Sequence, residues 1–244
     1  MKTYTKRTYR NRISGGGLIT SFRVVVKETD LLVKADRELA VETEESVIRH
    51  RKFIEEYIDR FPSFLHTLTP FPDDQFAPPI VRDMINAGKE TSVGPMASVA
   101  GAIAEWVGRD LLKYSQEVIV ENGGDIFIKT DKSVMVGIFA GSSPLSDKVG
   151  IEIDPDGEPI AVCTSSGTVG HSLSMGNSDA VTVVSRSASL ADAAATAVGN
   201  LISEKTDIDK GISFTESVAG IIGVIIVIGD MIGLKGNLKL VHIG

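Results

Sequence analysis

Two oxygen-bearing side chains, Asp192 and Thr196, interrupt the small-residue run SLADAAATAVGN at residues 189–200. Four residues make about one helical turn, so on a helix the carboxylate and the hydroxyl stand one above the other on a single face. Hard oxygens placed this way suit Mg²⁺ or Ca²⁺, which take carboxylate, carbonyl and water ligands. Magnesium commonly uses only one or two protein carboxylates and leaves phosphates and water to complete its octahedron. The structural alternative puts an N-cap at Ser189, sets Asp192 against the helix dipole and bonds Thr196 back to a carbonyl of the preceding turn. It accounts for Asp192 but gives no reason for a threonine to continue the same face.

Two further clusters carry polar groups. In ENGGDIFIK, residues 121–129, Gly123 and Gly124 interrupt a good strand, with Asn122 and Asp125 on either side. Paired glycines there mark a bulge, a close backbone approach or a plain hairpin turn. In AVCTSSGTVGHS, residues 161–172, a strand runs into Thr164, Ser165, Ser166 and Gly167, then Gly170 and His171. Amides and hydroxyls in such a loop can form an anion-binding nest for phosphate. His171 either meets a phosphate or substrate, or caps a turn. Neither GxxxxGK[ST] nor GxGxxG is present, so the P-loop and the dinucleotide fingerprint are both excluded here. Cys163 reads as a small hydrophobe pointing into the core.

These clusters need a frame. Residues 4–13 and 18–26 read as strands separated by the triple glycine 15–17, which either turns a hairpin or approaches a phosphate. LLVKA adds another strand after the turn at 27–30. From Asp36 to Phe61 the pattern is helical, with Val47, Ile54, Tyr57, Ile58 and Phe61 on one stripe. Residues 62–79 hold five prolines and read as a loop. A short helix over 79–87 is expected to stop at Gly88. Pro95 then suits the first turn of a helix whose Ala97, Ala100, Gly101 and Ala104 give a small-residue surface. Together with 189–202, that surface implies either a close helix crossing near a ligand or tight packing alone. Strands follow at EVIVE, DIFIK, VMVGIFAG, KVGIEID, IAVCTSS and DAVTVVS. After the last expected helix come GVIIVIGD and a closing hairpin pattern, MIGLKGNLKLVHIG. The fold class is α+β: a mostly antiparallel sheet with a few helices packed on one side. A single domain over 1–244 is expected, with residues 1–90 as the one segment able to form a lobe.

The 244 residues carry a net charge of −7 with scattered Lys and Arg, which speaks against nucleic acid and anionic membranes as partners. One cysteine excludes a disulfide framework. The polar N-terminus lacks the apolar segment of a secretory signal, and the longest apolar run is too short to span a bilayer. A cytoplasmic enzyme or small-molecule binder is the expectation, with a homodimer suggested by exposed sheet edges.

In order along the chain, GGD at 123–125, TSSG at 164–167, DAVTV at 179–183 and ADAAATA at 191–197 resemble the flavin transferase (ApbE) family. The match looks closest to a stand-alone prokaryotic branch common in archaea. The resemblance implies binding of FAD and Mg²⁺, cleavage of the pyrophosphate and attachment of FMN to a target threonine through a phosphoester. It implies Asp192 and Thr196 as metal ligands, a backbone carbonyl near Ala97 as a third, and the loops 122–125 and 164–167 as ligand-binding. His171 is then the candidate catalytic residue. Two features depart from the family: Ala100 stands before Gly101 where a lysine is usual, and GHSLSMGNSD replaces the longer H-I-I-D-P-x-T-G segment. These departures keep two other readings open: a binder of a flavin or related metabolite without turnover, and a protein that retains the fold only.

Overall fold

The structure, a computed structural model, describes residues 13–15, 20–167 and 176–243. Most of the strand expected at 4–13, together with Gly16 and Gly17, lies outside the described residues. The strands are β1 (Ile13–Gly15), β2 (Thr20–Val26), β3 (Thr29–Ala35), β4 (Val118–Asn122), β5 (Asp125–Lys129) and β6 (Val134–Gly137), then β7 (Val149–Ile153), β8 (Ile160–Ser165), β9 (Ala180–Ser185), β10 (Ile221–Ile228), β11 (Met231–Gly236) and β12 (Lys239–His242). The helices are α1 (Ala40–Arg60), α2 (Ser63–His66), α3 (Pro79–Thr91), α4 (Val99–Leu111), α5 (Ala188–Leu201) and α6 (Ile208–Ser217).

Eight strands form one sheet in the order β11-β10-β9-β8-β5-β4-β3-β2, and β1-β6-β7-β12 form a second, four-stranded sheet. Every pairing is antiparallel. The helices cover one face of the large sheet and the small sheet covers the other, so the α+β architecture stands as expected. Successive side chains alternate between these two cores. Phe127 joins α1, α3 and α4, while Ile126 and Ile128 join the small sheet. A sheet covered on both faces has no solvent side, which is why its strands read as nearly continuous apolar runs.

Several elements differ from the sequence expectation, among them α2, which falls in the stretch expected as a loop. β1 pairs with β6 in the small sheet and β2 with β3 in the large one, so β1 and β2 do not pair with each other. Likewise β11 pairs with β10, and β12 crosses to β7. α3 runs through Gly88 to Thr91 and ends at Ser92, whose φ of 59° provides the left-handed cap. Gly88 is required by packing, because a Cβ there would sit 2.8 Å from the Val93 carbonyl oxygen. Finally, α6 follows α5, where its own Gly211 makes room for Ile226, Ile202 and Val198. Glycine weakens a helix signal by about 1 kcal/mol, and that hides α6 from a reading by propensity.

α5 is buried all round. Ala191, Ala194 and Val198 face the sheet, and Ala193 and Ala197 meet α3 and the 3-10 turn Pro95–Ser98 that leads into α4. Only small side chains let a helix be enclosed on so many sides at close range. α4 is in turn pinned to α1 through Asp110, which accepts hydrogen bonds from Ser46 (2.7 Å), His50 (2.8 Å), Lys113 (2.7 Å) and Arg49. Burial works to raise the Asp110 carboxyl, but these donors outweigh it and hold the group well below the usual carboxylate range. Among the described residues, no helix is long and apolar enough to cross a membrane.

Candidate functional site

The N-cap of α5 is Ser187, whose hydroxyl accepts from the Leu190 amide at 3.3 Å, and not Ser189. Asp192 is therefore the fifth helical residue, beyond the turn where the dipole of its own helix stabilises a carboxylate. It meets the N-terminus of a different helix instead. Its Oδ2 accepts the Gly101 N–H of α4 at 2.9 Å, and the Ala100 amide adds a second hydrogen bond. The helices touch at this point: a Cβ on Gly101 would lie 2.3 Å from the Ala188 carbonyl oxygen and 2.9 Å from the Asp192 Cβ. Replacing Gly101 by alanine gains about 1 kcal/mol of helix propensity, but forces two backbones apart at a cost in the upper part of the 1–3 kcal/mol range. A net loss of about 2 kcal/mol is expected. A urea unfolding midpoint at or above that of wild type would show that the crossing is looser than this.

The turn from β4 to β5 brings a second carboxylate to the same place. Asn122 and Asp125 face each other across Gly123 (φ 70°) and Gly124 (φ 117°), and two positive φ values are what a tight hairpin turn demands. Asn122 donates from Nδ2 to the Ala100 carbonyl at 3.0 Å, tying the turn to the start of α4. Asn122→Ala is expected to cost about 1 kcal/mol and to lower Tm by roughly 3 °C in calorimetry. Asp125 shares the helix-facing side of β5 with Phe127. Its neighbour on β8 is Cys163, whose thiol hydrogen-bonds both the Asp125 carboxyl and the Ala188 carbonyl, the latter at 3.5 Å.

The electrostatics follow from burial. Asp125 is pushed well above the usual carboxylate range, first by desolvation and then by the charge of Asp192. Desolvation also pushes Asp192 up, to about 7, against the stabilising N–H groups of Gly101 and Ala100. Two carboxyls in one buried site share protons, and Asp125, which lacks the helix-end amides, is the one that keeps its proton. Its Oδ1 is buried with no hydrogen-bond partner. Burial likewise pushes the Cys163 thiol up, so it stays protonated and unreactive.

The other candidate residues separate by strand parity. Ser165 lies on the helix-facing side with Cys163, and its Oγ is buried without a partner. Thr164 points to the opposite face and pairs with Thr182 at 2.9 Å, away from Asp192. Ser166 follows the end of β8, and the Gly167 N–H donates to the Ser178 carbonyl at 3.0 Å. Thr196 is buried one turn beyond Asp192, and its hydroxyl makes no hydrogen bond among the described residues. Ala97 sits in the 3-10 turn before α4, packed against Ala193 and Ala197. His171 and Gly170 lie outside the described residues. The Gly101 amide was beyond sequence reading, because a backbone donor has no residue type of its own.

Among the described residues, no group of three or more His, Cys, Asp and Glu is arranged to hold a metal. The donors near Asp192 are carboxylate, hydroxyl and carbonyl oxygens, a set that fits a hard divalent cation. The unpartnered Asp125 Oδ1 and the repulsion between two buried carboxyls fit that group as well, since a bound cation would relieve both.

The profile of the family described as AbpE bacteria matches residues 10–216. UPF0280 proteins of Methanococcus aeolicus and Methanococcus vannielii are 42% and 41% identical, covering 88% and 89% of this chain and 90% and 91% of their own. The fold is shared with the flavin transferase ApbE from Vibrio cholerae (TM-score 0.57, 15% identity, 90% of this chain and 96% of that one). It is also shared with the apo flavinyl transferase ApbE of Pseudomonas stutzeri (TM-score 0.58, 14% identity, 91% and 94%). The family match takes in every element that builds the Asp125–Asp192 site, and the chain belongs to the AbpE bacteria family of the ApbE-like superfamily.

Proposed function

We propose that this protein is a Mg²⁺-dependent enzyme that cleaves the diphosphate of a flavin dinucleotide or a related nucleotide. The observation that carries this reading is the pair of buried carboxyls, Asp125 and Asp192, set against the N-terminus of α4 with one oxygen unpartnered. Such a pair is costly unless something positive meets it. Asp192, Thr196 and the Ala97 carbonyl would hold the cation, with Asp125 beside them. When bound, the cation supplies positive charge to the diphosphate and to its leaving group.

The chain's own residues do the rest. The Gly101 and Ala100 amides orient Asp192 and hold its carboxyl below where burial alone would push it. The Asn122–Ala100 bond keeps the 122–125 turn against α4. In the 164–167 segment the Ser165 hydroxyl, which is buried without a partner, would meet phosphate or ring edges. In transfer, an acceptor hydroxyl oxygen attacks the FMN-side phosphorus, the bridging P–O bond breaks, AMP leaves and the hydroxyl proton is released. In hydrolysis, water takes the acceptor's place and the products are FMN and AMP. His171 is proposed to bind the substrate or protonate the leaving group.

The test is incubation with FAD and Mg²⁺, with FMN and AMP separated chromatographically, alongside thermal unfolding with each ligand. Release of AMP supports the enzyme. Stabilisation by FAD without product would make the protein a flavin binder, the reading favoured by Ala100 standing where the family has a lysine. No thermal shift with either ligand would leave only the fold. Cytoplasmic location and a homodimer belong to the same proposal, the dimer resting on β2 and β11, which are the edge strands of the large sheet among the described residues.

A further inference from the structure

Another buried carboxylate, Glu105, which the proposed reaction does not use, joins α4 to the start of α5. Glu105 lies one helical turn after Gly101, on the same face of α4. Its Oε2 accepts the Ala188 N–H at 2.7 Å and the Ser187 hydroxyl at 3.5 Å, and its Oε1 receives Nε and Nη2 of Arg109 at 3.0 and 2.6 Å. The first helical amide of α5 therefore ends on a carboxylate of α4. One turn away the arrangement reverses, and the Gly101 amide of α4 ends on Asp192 of α5. Gly101 and Glu105 are four residues apart, as are Ala188 and Asp192. Each helix thus satisfies a buried N-terminal amide of the other, at the two ends of one crossing.

We propose that Glu105 is a positioning residue for the Asp192 cation site: by capping α5 at Ala188 it sets the register in which Asp192 reaches Gly101. This rests on the cation reading above. The physical reason is lever length. The sheet, α3 and the 3-10 turn enclose the rest of α5, but at Gly101 the two backbones meet with no side chain of α4 between them, so the two backbone-to-carboxylate bonds set how the first turns of the helices lie on each other. Losing the bond at Ala188 frees the first turn of α5 to shift, and the carboxylate of Asp192 moves relative to Gly101. The Arg109 guanidinium matches the charge of Glu105, so that the cap is not an unpaired buried ion.

The test follows two signals in Glu105→Ala, Glu105→Gln and Asp192→Ala. One is the Kd for Mg²⁺ titrated alone by calorimetry. The other is the chemical shift of the Gly101 amide proton in the metal-free protein, which reports the bond to Asp192. Glu105→Ala is expected to weaken Mg²⁺ by about tenfold, the loss usual for partners that orient a ligand. It should also move the Gly101 signal toward its place in Asp192→Ala. Glu105→Gln retains an oxygen for Ala188 and should restore both signals. If Glu105→Ala does not fold, Glu105→Asp takes its place, because its shorter side chain no longer reaches Ala188. A variant with a lowered Tm but wild-type Kd and Gly101 shift overturns the proposal and leaves Glu105 as a stabilising cap only. If wild type takes no Mg²⁺, the cation reading falls, and the Gly101 signal alone decides whether Glu105 positions Asp192.

Discussion

Asp192→Ala is expected to abolish the Mg²⁺-dependent rise in Tm and to lower FAD cleavage by about 10³-fold, equivalent to about 4 kcal/mol of transition-state stabilisation. The loss should come without unfolding. Removing the carboxylate leaves the Gly101 N–H without its acceptor, at a cost of about 1–3 kcal/mol. It also removes a carboxyl that its own burial raises and whose charge helps raise Asp125. The two effects oppose each other, so the metal-free variant should be nearly as stable as wild type at neutral pH. Chromatographic rates and thermal scans with and without Mg²⁺ measure both halves. A variant that folds and still cleaves at more than a tenth of the wild-type rate would remove Asp192 from the chemistry.

The metal-free protein should lose stability as pH rises from about 4 to about 7. The sign follows from proton binding. Asp192 has an ordinary value of 3.8 in the unfolded chain and about 7 in the native state. A raised carboxyl binds its proton more tightly when folded, so its contribution is fully present below about pH 4 and is lost progressively up to about pH 7. At 1.36 kcal/mol for each unit, the fall amounts to about 4 kcal/mol. Groups held low, such as Asp110, act only at more acidic pH, while His50, which burial lowers from its ordinary 6.5, opposes the fall toward the upper end of the range. Urea unfolding between pH 4.5 and 8 measures the slope, and Asp192→Asn should make it shallower, leaving the part that the raised Asp125 contributes. Mg²⁺ requires the ionised form, so its stabilising effect should grow over the same range and its binding should release protons. A wild-type profile that is flat or rising would mean that the two carboxyls do not share a buried site.

Much of this was legible in residue order. The stripe Val47, Ile54 and Tyr57 places α1 on the core, and all three are buried. The paired glycines of GGD left a bulge, a close backbone approach or a hairpin open, and the structure makes the hairpin, with both glycines at positive φ. The runs around DIFIK and GVIIVI read as strands, while the second sheet that covers the other face of the large one was not legible. The Asp192–Thr196 spacing points to one helix face, and both residues are buried on it.

The sequence by itself therefore determined most of the element types, though not α2 or α6, together with the α+β class and the oxygen-rich chemistry available on α5, since these depend on local periodicity and residue type. Only the tertiary structure decided what those oxygens meet. Asp125, Cys163 and Asp192 come from β5, β8 and α5, and no local pattern records that the sheet register places Asp125 beside Cys163. Strand parity, not composition, sends Ser165 toward the helices and Thr164 away from them. The amides of Ala100 and Gly101 carry no side-chain signature, and Glu105 reads like any helix-surface acid until Ala188 is placed against it. The destination of β1 and β12 in the small sheet was equally hidden, because pairing partners far apart in the chain are chosen by which edges and faces remain uncovered once the large sheet has formed.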